Sequence, residues 1–198
     1  MTSPEKGFQL AELVVSLAVL TLILLLGAPP LVQAAGDMRL RLAAYELVGV
    51  LRLARASAVR LDANVAVKFR TGKDGVVTFT LYRDGDGDGV LNKDIDAGID
   101  RPLGPPRRLT NLGRGTGFGF PPGPAADDPS SPGHRLTPSD PIRFNSSDLA
   151  SFSPLGTSTP GSLYLTDGVG KLMAVRLANR MGKVRILTWV PERRIWRD

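Results

Sequence analysis

An uncharged, apolar run near the amino end constrains the fold of this chain most strongly. From Leu13 to Ala35 the sequence carries no charged residue, and the part up to Leu26 is almost entirely leucine, valine, isoleucine and alanine. Counted from Phe8, it reaches the ~20 apolar positions that span a bilayer. Backbone groups surrounded by lipid must bond to one another, so the run predicts a transmembrane helix over 8–35.

One carboxylate, that of Glu12, stands at the head of this run. A charge at membrane depth costs roughly 2.5–3.5 kcal/mol on insertion scales, so such a residue is expected to have a function and a partner. The natural candidate for the partner is a free amino terminus, which would be created by cutting the chain after Gly7.

Two other interpretations of the amino end remain open. A secretory signal peptide could be cut near Val32–Ala34, but Glu5, Glu12 and the length of the apolar run weigh against it. An ordinary membrane anchor would leave Glu12 unexplained.

The residues around the proposed cut resemble the class III signal of type IV pilins and type II secretion pseudopilins. Lys6-Gly7-Phe8 is followed by Gln9-Leu10-Ala11-Glu12-Leu13, which joins a short polar leader, a Gly-Phe junction and a spaced glutamate. The resemblance implies that a prepilin peptidase removes the leader, residues 1–7, by cutting after Gly7 and then methylates Phe8. It also implies that Glu12 pairs with the amino terminus of a neighbouring subunit.

The resemblance further implies where the chain resides and what it contacts. The expected location is the inner membrane, crossed once, with the globular domain in the periplasm and the subunit incorporated into a pilus or pseudopilus. The expected partners are other pilins or pseudopilins, the prepilin peptidase and an inner-membrane assembly platform. Arg39 and Arg41 lie on the far side of the run, so the positive-inside rule gives this orientation little support.

Composition agrees with an exported protein that has one folded domain. Of 198 residues, the leader and anchor leave about 140–160 for a single domain. No cysteine is present, which excludes disulfide and thiol chemistry. The net charge of +6 favours acidic partners such as phospholipid head groups or nucleic acid, although a solvated basic surface is the simpler explanation.

The segment 36–62 predicts an amphipathic helix that continues into the globular domain. Its apolar residues step by three and four positions, which keeps them on one face. The stepped residues are Leu40, Ala44, Leu47, Leu51, Ala54, Ala58 and Leu61. Small residues on this face suit packing on a sheet better than a parallel coiled coil.

The segment 63–198 predicts an antiparallel β domain, because runs rich in β-branched and aromatic residues alternate with glycine-containing turns. The predicted strands are 65–69, 76–82, 142–144, 162–165, 171–177 and 183–190. Prolines punctuate 101–141, so we expect a long, mobile Gly/Pro-rich surface loop there with a short strand near 108–112. The fold class is therefore α+β, and the helix-on-sheet arrangement resembles the pilin plan.

Three further segments resemble the pseudopilin H and FimT-like minor pilin family. They are Leu51–Val59, Phe152–Thr157 and Asn179–Arg185. The resemblance implies a minor pseudopilin of a type II secretion system, assembled through its amino-terminal helix into a periplasmic pseudopilus that supports protein secretion. A FimT-like type IV pilus minor pilin that binds DNA during uptake, and a plain membrane-anchored binding domain, remain alternatives.

The acidic loop 84–100 is the best candidate for binding a ligand. Aspartates at loop positions one, three and five followed by glycine form the opening half of a calcium loop. The candidate Ca²⁺ ligands are Asp84, Asp86, Asp88, Asn92 and Asp94. Ile95 stands at the twelfth position, where an acidic ligand is expected. The alternative is a flexible, solvated acidic turn.

The carboxy-terminal segment is basic and contains two tryptophans, Trp189 and Trp196. Lysine and arginine can contact phosphates, and tryptophan can stack on bases. The candidate DNA-binding residues are Arg180, Lys183, Arg185, Arg193, Arg194 and Arg197. Gly182-Lys183-Val184-Arg185 resembles the Gly-Arg-x-Arg-like motif through which FimT-like minor pilins are implied to bind DNA, with lysine in place of the first arginine. Lysine keeps the charge but loses the bidentate fork, and a solvated basic strand edge remains the alternative.

Enzymatic activity finds little support in the sequence. The single histidine, His134, lies in the proline-rich segment without an evident catalytic partner. A cysteine nucleophile, a phosphate-binding glycine loop and a metalloprotease histidine pair are all missing from the sequence. We therefore expect a protein that assembles or binds rather than one that catalyses.

Overall fold

The computed structural model describes residues 10–110 and 115–198, apart from the side chains of residues 27–33 and Pro132. Two helices, α1 (Leu10–Leu61) and α2 (Asn92–Ala97), accompany twelve strands within these ranges. The strands are β1 (Val65–Thr71), β2 (Val77–Arg83), β3 (Arg101–Pro102), β4 (Gly117–Phe118), β5 (Asp127–Asp128), β6 (Ser131–Arg135), β7 (Ile142–Arg143), β8 (Leu149–Phe152), β9 (Gly161–Thr166), β10 (Leu172–Leu177), β11 (Val184–Val190) and β12 (Ile195–Arg197).

The strands form three antiparallel sheets. The first sheet has the order β3-β2-β1-β8, and the second has the order β12-β11-β10-β9-β4, with β7 also paired to β9. A small ribbon joins β5 to β6. The predicted α+β class is confirmed. All six strands predicted outside the 101–141 segment occur, with bounds within two residues of the prediction, whereas β3 to β6, β8 and β12 were not predicted. The described part of the short strand predicted near 108–112, residues 108–110, is not in a strand.

The chain divides into two compact units, with the boundary between Met38 and Arg39. In the first unit, every large apolar side chain from Leu10 to Leu26 is at least 51% exposed. The two hydroxyls in this stretch bond to the backbone of their own helix, Ser16 to the Glu12 carbonyl at 2.8 Å and Thr21 to the Leu17 carbonyl at 2.7 Å. The surface of this stretch is therefore apolar, with its side-chain hydroxyls satisfied internally.

The described residues include no helix that is both long enough and apolar enough to cross a membrane. The predicted span 8–35 includes residues 8 and 9, which lie outside the described ranges. The membrane span stays a prediction.

In the second unit, one face of α1 packs into the main core. The predicted stripe is confirmed from Leu40 to Ala58, whose members are at most 1% exposed, while Leu61 is partly buried at its end. The partners come from both large sheets, for example Val67 and Phe69 of β1 and Val175 of β10. Phe69 also lies 6.3 Å, centroid to centroid, from each of three other phenylalanine rings, those of Phe79, Phe118 and Phe144.

A second apolar cluster involves Tyr164, Leu172 and Leu187 of the second sheet. Residues of the 101–141 segment, Phe120, Ala126 and Leu136, join this cluster. The segment that was expected to be a long loop contains four short strands, β3 to β6, and these apolar side chains pack against the second sheet. Its mobility stays a prediction. Arg107 forms an isolated bridge with Phe79, and residues 111–114 of the segment lie outside the described ranges.

Replacing Leu51 with alanine should destabilise the fold by about 2–5 kcal/mol, because its fully buried side chain fills the junction between helix and sheets. Urea unfolding of the full chain, followed by tryptophan fluorescence, measures the effect. Leu53→Ala is the matched control, since Leu53 is 49% exposed on the same helix. Equal losses for both variants would contradict this packing.

Candidate functional sites

The predicted processing site lies at the edge of the described chain. Gly7 and Phe8 fall outside the described residues. Glu12 lies in the first turn of α1, where a carboxylate is favourable because the helix dipole is positive at that end.

Asp84 organises the acidic loop directly after β2 ends. Its carboxylate is buried and accepts four hydrogen bonds. The donors are the Asn64 side-chain amide at 2.8 Å and the backbone N–H groups of Asp86 (3.2 Å), Gly87 (2.7 Å) and Gly89 (2.9 Å). Burial opposes ionisation of Asp84, but these hydrogen bonds outweigh it and hold the pKa below its ordinary value of 3.8.

A second buried carboxylate, that of Asp100, closes the far end of the loop. Its two oxygens accept the backbone N–H groups of Gly85 at 3.1 Å and Leu91 at 2.9 Å. Gly85 also passes so close to the chain that an added Cβ would lie 2.1 Å from the Ile99 carbonyl oxygen. Sequence reasoning missed Asp100, whose role depends on a contact fifteen residues away.

The twelfth loop position belongs to the core. Ile95 on α2 packs with Ala66, Val90 and Leu149 in a small apolar cluster. This explains why an aliphatic residue replaces the expected acidic ligand. The predicted ligand Asn92 donates its side-chain amide to the Ser147 carbonyl at 3.2 Å, which ties α2 to the turn before β8.

Three of the five predicted ligands converge. Carboxylate oxygens of Asp84, Asp86 and Asp88 all lie within 4.8 Å of one another. Two oxygens that bind one Ca²⁺ at 2.3–2.6 Å are separated by at most about 5 Å, so these three carboxylates can share a cation. Asp94 is buried next to Lys93.

The predicted basic segment does not form one surface. Arg180, Lys183 and Arg185 lie near the start of β11, whereas Arg193 and Arg194 follow its end. Seven strand residues separate the two groups by about 20 Å. The basic residues, which are close together in sequence, are therefore divided between the two ends of β11.

Several of these cations already have partners. Arg185 pairs with Asp198, with one nitrogen–oxygen distance of 3.0 Å, and Arg194 pairs with Asp127. Arg197 lies opposite Thr188 across the β11–β12 pair. Among the described residues, Arg180 and Lys183 form no ion pair.

Both tryptophans of the basic segment pack onto the second cluster. Their ring centroids are 5.3 Å apart, and the Trp196 ring lies 6.2 Å from that of Tyr164. The Trp196 ring nitrogen donates to the Asp127 carbonyl at 2.7 Å. These contacts engage both rings, which makes them poorer platforms for bases than the sequence indicates.

The start of β11 gains two arginines from elsewhere in the chain. Arg176 lies directly opposite Arg185 across the β10–β11 pair. Arg55 of α1 reaches Gly182, where an added Cβ would lie 3.3 Å from the guanidinium carbon. Sequence reasoning missed both contributions, because the strand register and the packing of the turn on α1 create them.

His134 has a local contact that the sequence did not indicate. Its Nδ1 lies 3.0 Å from the Ser131 hydroxyl, within the exposed strand β6. Among the described residues no carboxylate contacts the ring, so nothing there would orient it as a general base.

No protein-family model matches this chain, and neither the curated proteins nor the solved structures include a significant match to it.

Asp84 should contribute to stability in a pH-dependent way. Its folded pKa lies below its ordinary value of 3.8, so the contribution is complete above that value and is lost as the pH falls through the folded pKa. In chelator at neutral pH, Asp84→Asn should lower the free energy of unfolding by about 1–3 kcal/mol, with a smaller loss at acidic pH.

Urea titrations of the full chain across the acidic range measure this difference. Asp96→Asn is the control, since the Asp96 side chain is 75% exposed and pairs only with Arg70 on the surface at 3.5 Å. A difference between wild type and Asp84→Asn that does not shrink as the pH falls would contradict the assigned role.

Proposed function

We propose that this chain is a minor pseudopilin of a type II secretion system, which assembles through its amino-terminal helix into a periplasmic pseudopilus that supports secretion. The observation that supports this proposal most strongly is that two parts of α1 differ in burial. Its residues from Leu40 to Ala58 bury one face in the sheet domain, whereas those from Leu10 to Leu26 leave all their large apolar side chains exposed.

Such an apolar stretch is stable only when lipid or other protein surfaces bury its side chains. Burying one large aliphatic side chain is worth about 1.5–3 kcal/mol, and twelve such side chains are exposed between Leu10 and Leu26. Lipid supplies this burial before assembly, and the helices of neighbouring subunits supply it in the filament. The internally bonded hydroxyls of Ser16 and Thr21 suit both environments.

Glu12 gives the assembly its register. Cleavage after Gly7 leaves the amino group of Phe8 four residues before Glu12 in the sequence. Glu12 lies on a helix whose apolar side chains, in this proposal, face lipid or other helices. Two opposite charges in such surroundings attract strongly when they meet. We assign the partner of Glu12 to the amino group of an adjacent subunit, so that joining the filament removes both unpaired charges from the apolar layer.

The minor-pilin assignment draws support from one place in the domain. The three segments that resemble this family meet at Arg55, which belongs to the first of them. Gly156 and Gly182 belong to the other two, and both adopt positive φ (76° and 71°). An added Cβ would lie 3.0 Å from Arg55 Nη2 at Gly156 and 3.3 Å from Arg55 Cζ at Gly182. Glycine therefore fits both positions for a physical reason.

Leader processing tests the proposal first. Coexpression with a prepilin peptidase should remove residues 1–7 and methylate Phe8, which intact-mass analysis detects. Gly7→Ala should abolish the cut. Gly49→Ala is the matched control, because open space surrounds Gly49 on α1 and the substitution should leave processing unchanged. An uncut chain would favour a plain membrane-anchored domain, and a cut near Ala34 would favour a signal peptide.

Replacing Glu12 with alanine should leave the domain folded but reduce its incorporation into filaments by about tenfold, which corresponds to ~1.4 kcal/mol of lost pairing. Quantitative blotting of sheared filaments measures incorporation. Glu192→Ala is the control, since Glu192 is exposed and far from the helix in sequence. Normal incorporation of Glu12→Ala would contradict the pairing.

DNA binding by a FimT-like minor pilin is the second candidate, favoured by the arginines that gather at the start of β11. In a gel shift with duplex DNA at low salt, Lys183→Ala and Arg55→Ala should weaken binding and lower the salt slope by about one unit each. Arg193→Ala, at the other end of the strand, should change it little. The absence of any shift at low salt would eliminate this candidate.

A further inference from the structure

The acidic loop 84–100 concentrates negative charge without an adequate counter-charge in its own sequence. It contains six aspartates and one lysine, Lys93. Three of the carboxylates, those of Asp84, Asp94 and Asp100, are buried. Buried charges are tolerated when each is hydrogen-bonded or paired, so the three carboxylates can be compared on that ground.

Two of the buried carboxylates are fully engaged within the protein. Each carboxylate oxygen of Asp100 accepts a hydrogen bond from one backbone N–H group. The Asp84 carboxylate accepts four hydrogen bonds. Asp84 can offer an oxygen to a cation by giving up the longest of these bonds, 3.2 Å from the Asp86 N–H. These two residues shape the loop.

Asp94 differs from both. It is 5% exposed, and its Oδ2 is buried without a hydrogen-bond donor. The nearest cation is the Lys93 ammonium at 3.5 Å, well beyond the 2.7–2.9 Å of a charge-assisted hydrogen bond. A buried carboxylate oxygen without a donor is costly, which indicates that another group completes its surroundings.

Lys93 shows where that group would lie. Its ammonium is 3.5 Å from Asp94 Oδ2 and also 3.5 Å from Asp88 Oδ2, so these two oxygens face one common point. Asp88 also lies within the converging group of Asp84 and Asp86. The Asp88 carboxylate is thus part of the three-aspartate cluster and also shares the Lys93 ammonium with Asp94.

We propose that the acidic loop binds one Ca²⁺ through the converging carboxylates of Asp84, Asp86 and Asp88. The Asp94 carboxylate, which lies outside that converging group, turns towards the ion as the fourth ligand, and the Lys93 ammonium between Asp94 and Asp88 moves out when the ion binds. Ile95 occupies the twelfth loop position and packs in an apolar cluster, so it supplies no ligand there. Asp94, one position earlier, supplies the acidic ligand instead. Asn92 remains bonded to Ser147 and is not a ligand. Asp86 and Asp88 are exposed and can close on the ion to an oxygen–calcium distance of about 2.4 Å, whereas Asp84 and Asp94 are buried.

The chemistry of the donors selects calcium. All four are carboxylates on a glycine-containing loop, and hard cations prefer such oxygen ligands. Mg²⁺ requires near-ideal octahedral geometry and gives up water reluctantly, so a flexible loop favours Ca²⁺. Competition from Lys93 places the affinity in the weak range of extracellular modules, with a Kd of roughly 0.1–1 mM.

Calcium titration of the full-length chain in detergent micelles tests the site. Calorimetry should show one ion bound per chain, and thermal melts should shift upward in millimolar calcium compared with chelator. Mg²⁺ at the same concentration should give a smaller shift. No heat and no shift in wild type up to about ten times the expected Kd would overturn the proposal.

Four substitutions separate the ligands from bystanders. Asp88→Asn and Asp94→Asn should each weaken calcium binding about tenfold or more. Lys93→Gln should tighten it severalfold, because the competing ammonium is removed. Asp96→Asn makes the same charge change on an exposed side chain outside the cluster, and it should change the Kd less than twofold.

Melting each variant in chelator separates loss of the ligand from loss of the fold. Asp94→Asn is nearly isosteric and breaks no hydrogen bond to Oδ2, so it should melt close to wild type. Wild-type affinity in Asp94→Asn would overturn the assigned ligand set, and unchanged affinity in Lys93→Gln would overturn the place given to the ammonium. Leader processing and filament assembly are measured separately, so this outcome is independent of the proposed function.

Discussion

The packing of one helix face against two sheets is the interaction on which the rest of the domain depends. The buried stripe from Leu40 to Ala58 touches strands of both large sheets, so neither sheet has a complete core without it. The alanines of the stripe, Ala44, Ala54 and Ala58, and the neighbouring Ala43 are fully buried and let the backbone of α1 approach the strands closely. The glycine turns at Gly156 and Gly182 then close against the same helix through Arg55.

This arrangement ties the helix to a stable domain and leaves the residues from Leu10 to Leu26 for another use. Apolar side chains that stay exposed contribute nothing to the stability of the fold, because hydrophobic burial is the main favourable term in folding. In the proposed function, association with lipid and with other helices accounts for this apolar surface. The later turns of α1 pack into the core of the domain, and we propose that the early turns hold the subunit in its assembly.

Much of the fold could be predicted because it follows from short-range patterns. The three- and four-residue steps of α1 and the β-branched runs of β1, β2, β9, β10 and β11 identify the helix and most of both sheets. Strand β8 escaped prediction because it is short and pairs with β1, far away in sequence. Strand β12 is only three residues long and pairs with β11 directly before it. In the 101–141 segment the prolines hid four short strands, β3 to β6, and the contacts of Phe120, Ala126 and Leu136 with the second cluster.

The candidate sites show the same limit. The Asp84–Asp88 pattern predicts a cluster, and the cluster is present. The pattern did not indicate that Asp100 would close the loop, that Ile95 would serve the core, or that Asp94 would lack a donor. The basic segment looked continuous in sequence, yet the length of β11 divides it. Each of these features depends on tertiary contacts, which local patterns do not encode.

Cross-linking in the assembled filament tests the division of α1 most directly. The chain has no cysteine, so Leu17→Cys introduces a single thiol on a side chain that is 61% exposed. With a second cysteine in the amino-terminal helix of the major filament subunit, mild oxidation should yield a cross-linked pair, and Val169→Cys in an exposed turn of the second unit should yield none. A processed chain that is present in filaments, yet never cross-links through any position from Leu10 to Leu26, would contradict the account.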